Sequence, residues 1–247
     1  MKKLIIILIC IGSLNLRAQN VRYNLPQSVG ELWPKSDTTF YPGGSKIKVI
    51  HFLDSLGKVR KFSSYYPNGN MQSVFTFNSE EKSDGISKTW YENGSLLVVS
   101  NCNNGLCCTN EFYENGNLKS SYLENDNGDV LGFLYVFHIS GGIVAETVLD
   151  SSLNLCHREF YKSGKIHSEL RMDSLNENKT KTKAVYKEYF ENGKLKSTGF
   201  YSDIEIFGLQ LSIDWEKRDG NWCFYNQDGK IYLEQIWRNG ILAETME

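Results

Sequence analysis

The sequence has no basic surplus, no catalytic signature and no apolar stretch long enough to cross a bilayer. Lys plus Arg number 27 against 29 Asp plus Glu, a net charge of −2. That excludes the clustered cations that neutralise nucleic-acid phosphates, and it excludes electrostatic docking on anionic lipid. The four histidines, His51, His138, His157 and His167, are scattered and show no metal-ligand spacing. No glycine-rich phosphate loop, nucleophile elbow or dinucleotide fingerprint occurs, so the chain is expected to be non-enzymatic and to need no cofactor or metal. A helical hydrophobic period of useful length is missing too. The longest apolar run, Leu4 to Ile11, follows Met1-Lys2-Lys3 and is too short to span a membrane. It reads as a secretory signal over residues 1–18, cleaved after Ala18. The expected location is therefore periplasmic, outer-envelope-associated or secreted, with no transmembrane segment in the mature protein.

What the chain has instead is one recurring phrase: aromatic, any residue, Asn-Gly or a variant, any residue, aliphatic. It runs Tyr66-Pro67-Asn68-Gly69-Asn70-Met71, Tyr91-Glu92-Asn93-Gly94-Ser95-Leu96 and Tyr113-Glu114-Asn115-Gly116-Asn117-Leu118. It returns as Tyr161-Lys162-Ser163-Gly164-Lys165-Ile166 and Phe190-Glu191-Asn192-Gly193-Lys194-Leu195. A recurring unit of this kind marks a repeat architecture. Asn-Gly between alternating apolar residues is a strong hairpin signal, because a type I′ turn needs φ > 0 at both central positions. Further turns (Asn103-Asn104-Gly105, Asn127-Gly128, Asp228-Gly229, Asn239-Gly240) fall about every dozen residues between the phrases. Short connections pair neighbours antiparallel. The expected fold is all-β, an elongated antiparallel meander of stacked hairpins in a single curved sheet. Residues 19–50 form an N-terminal capping segment and 51–247 the repeat domain, with the sheet starting from about Lys46. The regular pattern lapses at His138, between Arg171 and Lys183, and from Asp203 to Ile213.

A type I′ turn at each phrase fixes a register. Tyr66 would face Met71, Tyr91 Leu96, Tyr113 Leu118, Tyr161 Ile166 and Phe190 Leu195. One position outward, Tyr65 would face Gln72, Trp90 Leu97, Phe112 Lys119, Phe160 His167 and Tyr189 Lys196. Side chains alternate across a strand, so the first set lines a core face. The second set, Tyr65, Trp90, Phe112, Phe160 and Tyr189, lines a partly wetted aromatic face that is the candidate binding surface. In the last hairpins Tyr225 would face Tyr232 and Trp237 would face Leu242. Glu111, Glu159 and Glu188 would face Ser120, Ser168 and Ser197. A glycosidase uses one unique carboxylate pair, whereas these acids are periodic and read as parts of the sheet. Five cysteines follow the signal, and the Asn104-Gly105 turn brings Cys102 opposite Cys107 as the candidate disulfide.

The unit aromatic-x-Asn-Gly-x-Leu-Lys-x, seen in Asn117-Leu118-Lys119-Ser120, Gly164-Lys165-Ile166-His167-Ser168 and Lys194-Leu195-Lys196-Ser197-Thr198-Gly199, resembles the MORN repeat variant. The likeness runs from about Lys61 to Glu247. Proteins of this type resemble the family labelled YwqK-type antitoxins, which implies neutralisation of a toxin partner. MORN repeats imply stacked hairpins used for binding or assembly, and the family supplies no catalytic residues. The sequence thus reads as an exported repeat protein that binds another protein through its aromatic face. Self-association, an immunity or antitoxin role, and cell-wall or glycan binding are the alternatives.

Overall fold

A computed structural model describes residues 35–150, 154–172, 183–202, 205–207, 210–212 and 217–247. The expected signal peptide and residues 19–34 of the capping segment lie outside these, as does the polar stretch 173–182. Among the described residues there is no helix, and every strand neighbour is antiparallel. Seventeen of the described strands belong to the sheet, so the all-β hairpin-repeat fold is the one observed.

The chain divides into two units. The first contains β1 (Lys35–Phe40), β2 (Ile47–Leu53), β3 (Val59–Tyr65), β4 (Met71–Thr76), β5 (Gly85–Trp90), β6 (Leu96–Asn103), β7 (Leu106–Phe112) and β8 (Leu118–Asn125). Each pairs with the next. The meander is thus under way at Lys35, ahead of position 51. The second unit contains β9 (Val130–Phe137), β10 (Ile143–Leu149), β11 (Leu155–Phe160), β12 (Ile166–Met172), β13 (Ala184–Tyr189) and β14 (Leu195–Tyr201). A separate two-stranded pair, β15 (Glu205–Phe207) and β16 (Gln210–Ser212), interrupts the repeats where the sequence turns irregular. The meander resumes with β17 (Arg218–Tyr225), β18 (Ile231–Arg238) and β19 (Ile241–Met246).

The phrase turns are not type I′. Gly94 has φ +87°, but Asn93 is not in the left-handed region. The Gly94 N–H donates to the Tyr91 carbonyl at 2.9 Å, and the Tyr91 N–H donates to the Ser95 carbonyl at 2.8 Å. This is a three-residue loop: a type I turn followed by a left-handed glycine. The Asn93 side chain closes it by accepting the Ser95 N–H at 2.8 Å, an Asx-type mimic of a backbone turn. Asn68, Asn115 and Asn192 do the same for Asn70, Asn117 and Lys194.

The longer loop changes the first pair of every phrase hairpin. The phrase aliphatics face the aromatic before the phrase, not the one within it. Tyr65 pairs with Met71, Trp90 with Leu96, Phe112 with Leu118, Phe160 with Ile166 and Tyr189 with Leu195. Tyr225 likewise pairs with Ile231, not Tyr232. One residue is then extruded as a bulge, and these are Gln72, Leu97, Lys119, His167, Lys196 and Tyr232, the residues the sequence placed opposite the aromatics. A bulge sets two residues against one, and here it restores the register of a two-residue loop. Beyond it Glu111, Glu159 and Glu188 face Ser120, Ser168 and Ser197 as expected. Two other Asn-Gly turns do take the type I′ form: Asn104 and Asn239 have φ of 50° and 49°. Accordingly Cys102 faces Cys107, and Trp237 faces Leu242.

The units bury different chemistry. In the first, the buried side chains are mostly small and polar, among them Ser63, Ser64, Ser73, Ser87, Thr109, Ser120 and Ser121. Hydroxyls pair across strands, Ser64 with Ser73 at 2.6 Å and Ser100 with Thr109 at 2.8 Å. In the second unit Leu155, Leu170, Met172, Ala184, Tyr186, Tyr201 and Trp222 form an apolar cluster. Gly199 is needed there because a Cβ would meet the Trp222 ring at 2.2 Å. The Trp222 indole lies edge-on to Tyr201, with ring centroids 5.1 Å apart. Arg218 sits over it at 4.6 Å and over Trp237 at 5.1 Å, a doubled cation–π contact.

Candidate interaction face

The five aromatic positions singled out from the sequence occupy one equivalent place in their hairpins, the last strand residue before the turn. Their environment differs from a free aromatic face. Phe112 is buried at 8% exposure, while Tyr65, Trp90, Phe160 and Tyr189 are half-buried. Each covers an aliphatic partner across the hairpin, a cross-strand contact worth about 0.2–1 kcal/mol over an alanine pair.

The carbonyls of these same residues carry a second function that residue patterning did not reveal. The Tyr41 hydroxyl donates to the Tyr65 carbonyl at 2.7 Å, Tyr66 to Trp90 at 2.7 Å and Tyr91 to Phe112 at 2.8 Å. In the second unit Tyr161 donates to Tyr189 at 2.7 Å. The phrase tyrosine is thus a tie from one hairpin to the backbone of the next. Side chains of the turns reinforce it: Asn68 and Asn70 both donate to the Glu92 carbonyl, and Asn115 and Asn117 both donate to that of Ile139. The signal was present in the sequence as the choice of tyrosine at phrase positions 66, 91 and 161, where a purely apolar role would accept phenylalanine.

Strands β10 to β14 of the second unit carry charged and apolar side chains on one face. Glu146, Arg158, Glu169 and Lys187 stand in one cross-strand row. Arg158 bridges Glu146 at 2.7 Å and Glu169 at 2.8 Å, and Arg171 adds a second contact to Glu169 at 2.9 Å. Burial works to raise the Glu169 carboxyl. Hydrogen bonds from Arg158 and Arg171 outweigh it and hold the group below the usual carboxylate range. On the same face Arg171 is opposite Val185, and Val185 is opposite Phe200. Val185 and Phe200 are 36% and 41% exposed. By alternation along β13, Val185, Lys187 and Tyr189 share that face.

Cys156 and His157 are neighbours in sequence on β11. Burial pushes the Cys156 thiol up and the His157 imidazole down, and His157 Nδ1 is 2.9 Å from the Thr147 hydroxyl. Consecutive residues point to opposite faces of β11, so these two do not form a nucleophile–base pair. Among the described residues no group of three or more His, Cys, Asp or Glu is arranged to hold a metal ion. Cys102 and Cys107 are bonded, with an S–S distance of 2.11 Å and Cα atoms 4.0 Å apart. Cys156 and Cys223 are free thiols.

A meander of hairpins, in which the phrase turns share one three-residue loop and several turn tyrosines tie one hairpin to another, defines a β-hairpin repeat protein. The family model of the MORN repeat variant matches residues 61–79, 83–104, 184–203 and 218–245. No curated protein matches the sequence. Among solved structures the chain is similar to the Photorhabdus luminescens Tc holotoxin pore carrying the mutation TccC3-D651A. That likeness has 12% identity and a TM-score of 0.24, with 82% of this chain and 12% of that chain covered.

Proposed function

We propose that this is an exported, non-enzymatic repeat protein that binds another protein through a mixed apolar and charged sheet face. The observation that carries the reading is the pair Val185 and Phe200, exposed apolar side chains directly opposite each other on adjacent strands. They share their face with Tyr189 and with the cations Lys187 and Arg171. Contiguous exposed apolar surface rimmed by polar groups marks protein interfaces. The MORN repeats support the same reading, since they imply a binding or assembly surface.

The test is affinity capture from envelope fractions of the source cell with the wild-type chain and with a Val185→Ser/Phe200→Ser variant. Both residues are partly exposed, so the variant should keep its far-ultraviolet dichroism and lose the captured protein. Equal capture by a folded variant would remove this face from consideration. Phe112→Ser is unsuited to the purpose, because Phe112 is buried against Leu118 and its loss would test folding. A captured second copy would mean self-association, a captured toxin the antitoxin role, and retention on wall material the glycan reading.

A further inference from the structure

We infer that Asn127 and Asn239 are sites of covalent modification, at which the side-chain amide converts to a carboxylate. The same Asn-Gly dipeptide is held unreactive in the phrase turns. The chain contains seven Asn-Gly pairs, at Asn68, Asn93, Asn104, Asn115, Asn127, Asn192 and Asn239. In such a pair the glycine amide nitrogen attacks the Asn side-chain carbonyl carbon. A C–N bond forms, the nitrogen gives up its proton, and the side-chain amide leaves as ammonia. The resulting succinimide takes up one water at either carbonyl and opens to Asp or iso-Asp. One water enters and one ammonia leaves, with no oxidant involved.

Two obvious determinants do not separate the seven. All seven asparagines are exposed. All seven glycine N–H groups are engaged, donating to the carbonyls of Tyr66, Tyr91, Ser83, Tyr113, Asn125, Phe190 and Arg218 in sequence order of the glycines. Attack therefore requires local opening of every one of these turns.

The side-chain amide does separate them, because the attacked group must also be free to rotate. The Asn93 amide makes three hydrogen bonds: to Glu114 Oε1 at 2.8 Å, from the Ser95 N–H at 2.8 Å and from the Ser95 hydroxyl at 2.7 Å. Asn68 makes two, to the Glu92 carbonyl and from the Asn70 N–H, and Asn115 two, to Ile139 and from Asn117. Asn192 and Asn104 make one each, from the Lys194 N–H and the Asn78 amide. Asn127 and Asn239 have none among the described residues. In the Asn127 turn the capping role has moved to Asn125, whose Oδ1 accepts the N–H groups of Asn127 and Asp129. The Asn239 turn is a two-residue loop with no capping position to fill.

Conversion at Asn127 sets a new carboxylate between Asp126 and Asp129. The modification is thus a slow, one-way increase of negative charge at one turn of the first unit.

The experiment is peptide mapping by mass spectrometry of the full folded chain over days at mildly alkaline pH, with a parallel sample unfolded in urea. Each hydrogen bond that must break is expected to slow reaction about five-fold. Asn127 and Asn239 should therefore convert at least roughly ten-fold faster than Asn68, Asn93 and Asn115, with Asn104 and Asn192 between. In urea the seven rates should converge. Glu114→Ala removes one acceptor and should speed Asn93 about five-fold while leaving Asn127 unchanged. Equal rates in the folded chain, an order that survives in urea, or no response of Asn93 to Glu114→Ala would each overturn the inference.

Discussion

The hydroxyl oxygen is what distinguishes Tyr41, Tyr66, Tyr91 and Tyr161 from the phenylalanine that fills the same place at position 190. Each hydroxyl donates to a main-chain carbonyl one hairpin away. A neutral hydrogen bond of this kind contributes about 0.5–1.5 kcal/mol net. Tyr91→Phe, which keeps the ring, should lower the free energy of unfolding by that amount, read from the urea midpoint at unchanged slope. At Phe190, where no hydroxyl exists, the Lys194 ammonium reaches the Gln227 carbonyl at 2.8 Å and supplies a turn-to-turn contact.

Glu169 sets the pH response at the same scale. Its carboxyl sits lower in the folded chain than in the unfolded one, because Arg158 and Arg171 donate to it. A depressed carboxylate contributes stability above its unfolded pKa and loses it as pH falls through the folded value. The protein should therefore weaken on acidification below the ordinary glutamate range. Glu169→Gln should be less stable near neutrality by about 1.5–3 kcal/mol, as expected for hydrogen bonds to a charged group. Its acid limb should also be flatter. Parallel thermal melts from neutral to acidic pH would measure both effects, and identical limbs would show that other carboxylates govern the acid transition.

The hairpin is the element at which the sequence was partly misleading. Asn-Gly serves equally as the whole of a two-residue loop or as the last two residues of a three-residue loop. Local pattern favours the first. The deciding contacts are the Asx bond across the turn and the tyrosine tie to another hairpin, and the latter lies more than 20 residues away. Far from the turn the two alternatives converge, because the bulge absorbs the difference. That is why the Glu–Ser pairs were legible while the Tyr–Leu pairs were not, and the Cys102–Cys107 and Trp237–Leu242 pairs were legible because their turns are true two-residue loops.

Deletion separates the two registers. Lys119 is extruded, so removing it should preserve every pair beyond it and cost only its surface ion pair with Glu111 at 3.2 Å, within about 1 kcal/mol. Removing Ser121, in the regular part of the ladder, would reverse the faces of the rest of β8. That chain should lose cooperative unfolding altogether.

At the scale of the whole molecule, fold class followed from the recurrence of the phrase alone, since short antiparallel connections leave few alternatives. Less legible was how differently the units fill their interiors, hydroxyl pairs in one and an aromatic cluster in the other. Ser73 and Tyr186 both sit on strands near phrase turns, and only three-dimensional neighbours assign one to a polar row and the other to the core. The aromatic positions were legible as a set, but the burial of Phe112 was not, because the loop length decides what each of them covers. The cysteines give a molecule-wide check. Alkylation of the unfolded chain without reductant should label Cys156 and Cys223 and leave Cys102 and Cys107 unmodified, and reductant should release both. Labelling of all four without reductant would show that the pair is reduced in solution.

The tyrosine ties have a consequence for how such a chain can change. A donor that addresses the main chain is indifferent to the side chain borne by its acceptor, and the acceptors here are Tyr65, Trp90, Phe112 and Tyr189. The joint between neighbours is therefore written in a vocabulary every amino acid shares. Units can be copied, reordered or allowed to drift in what they display without renegotiating how they are fastened together.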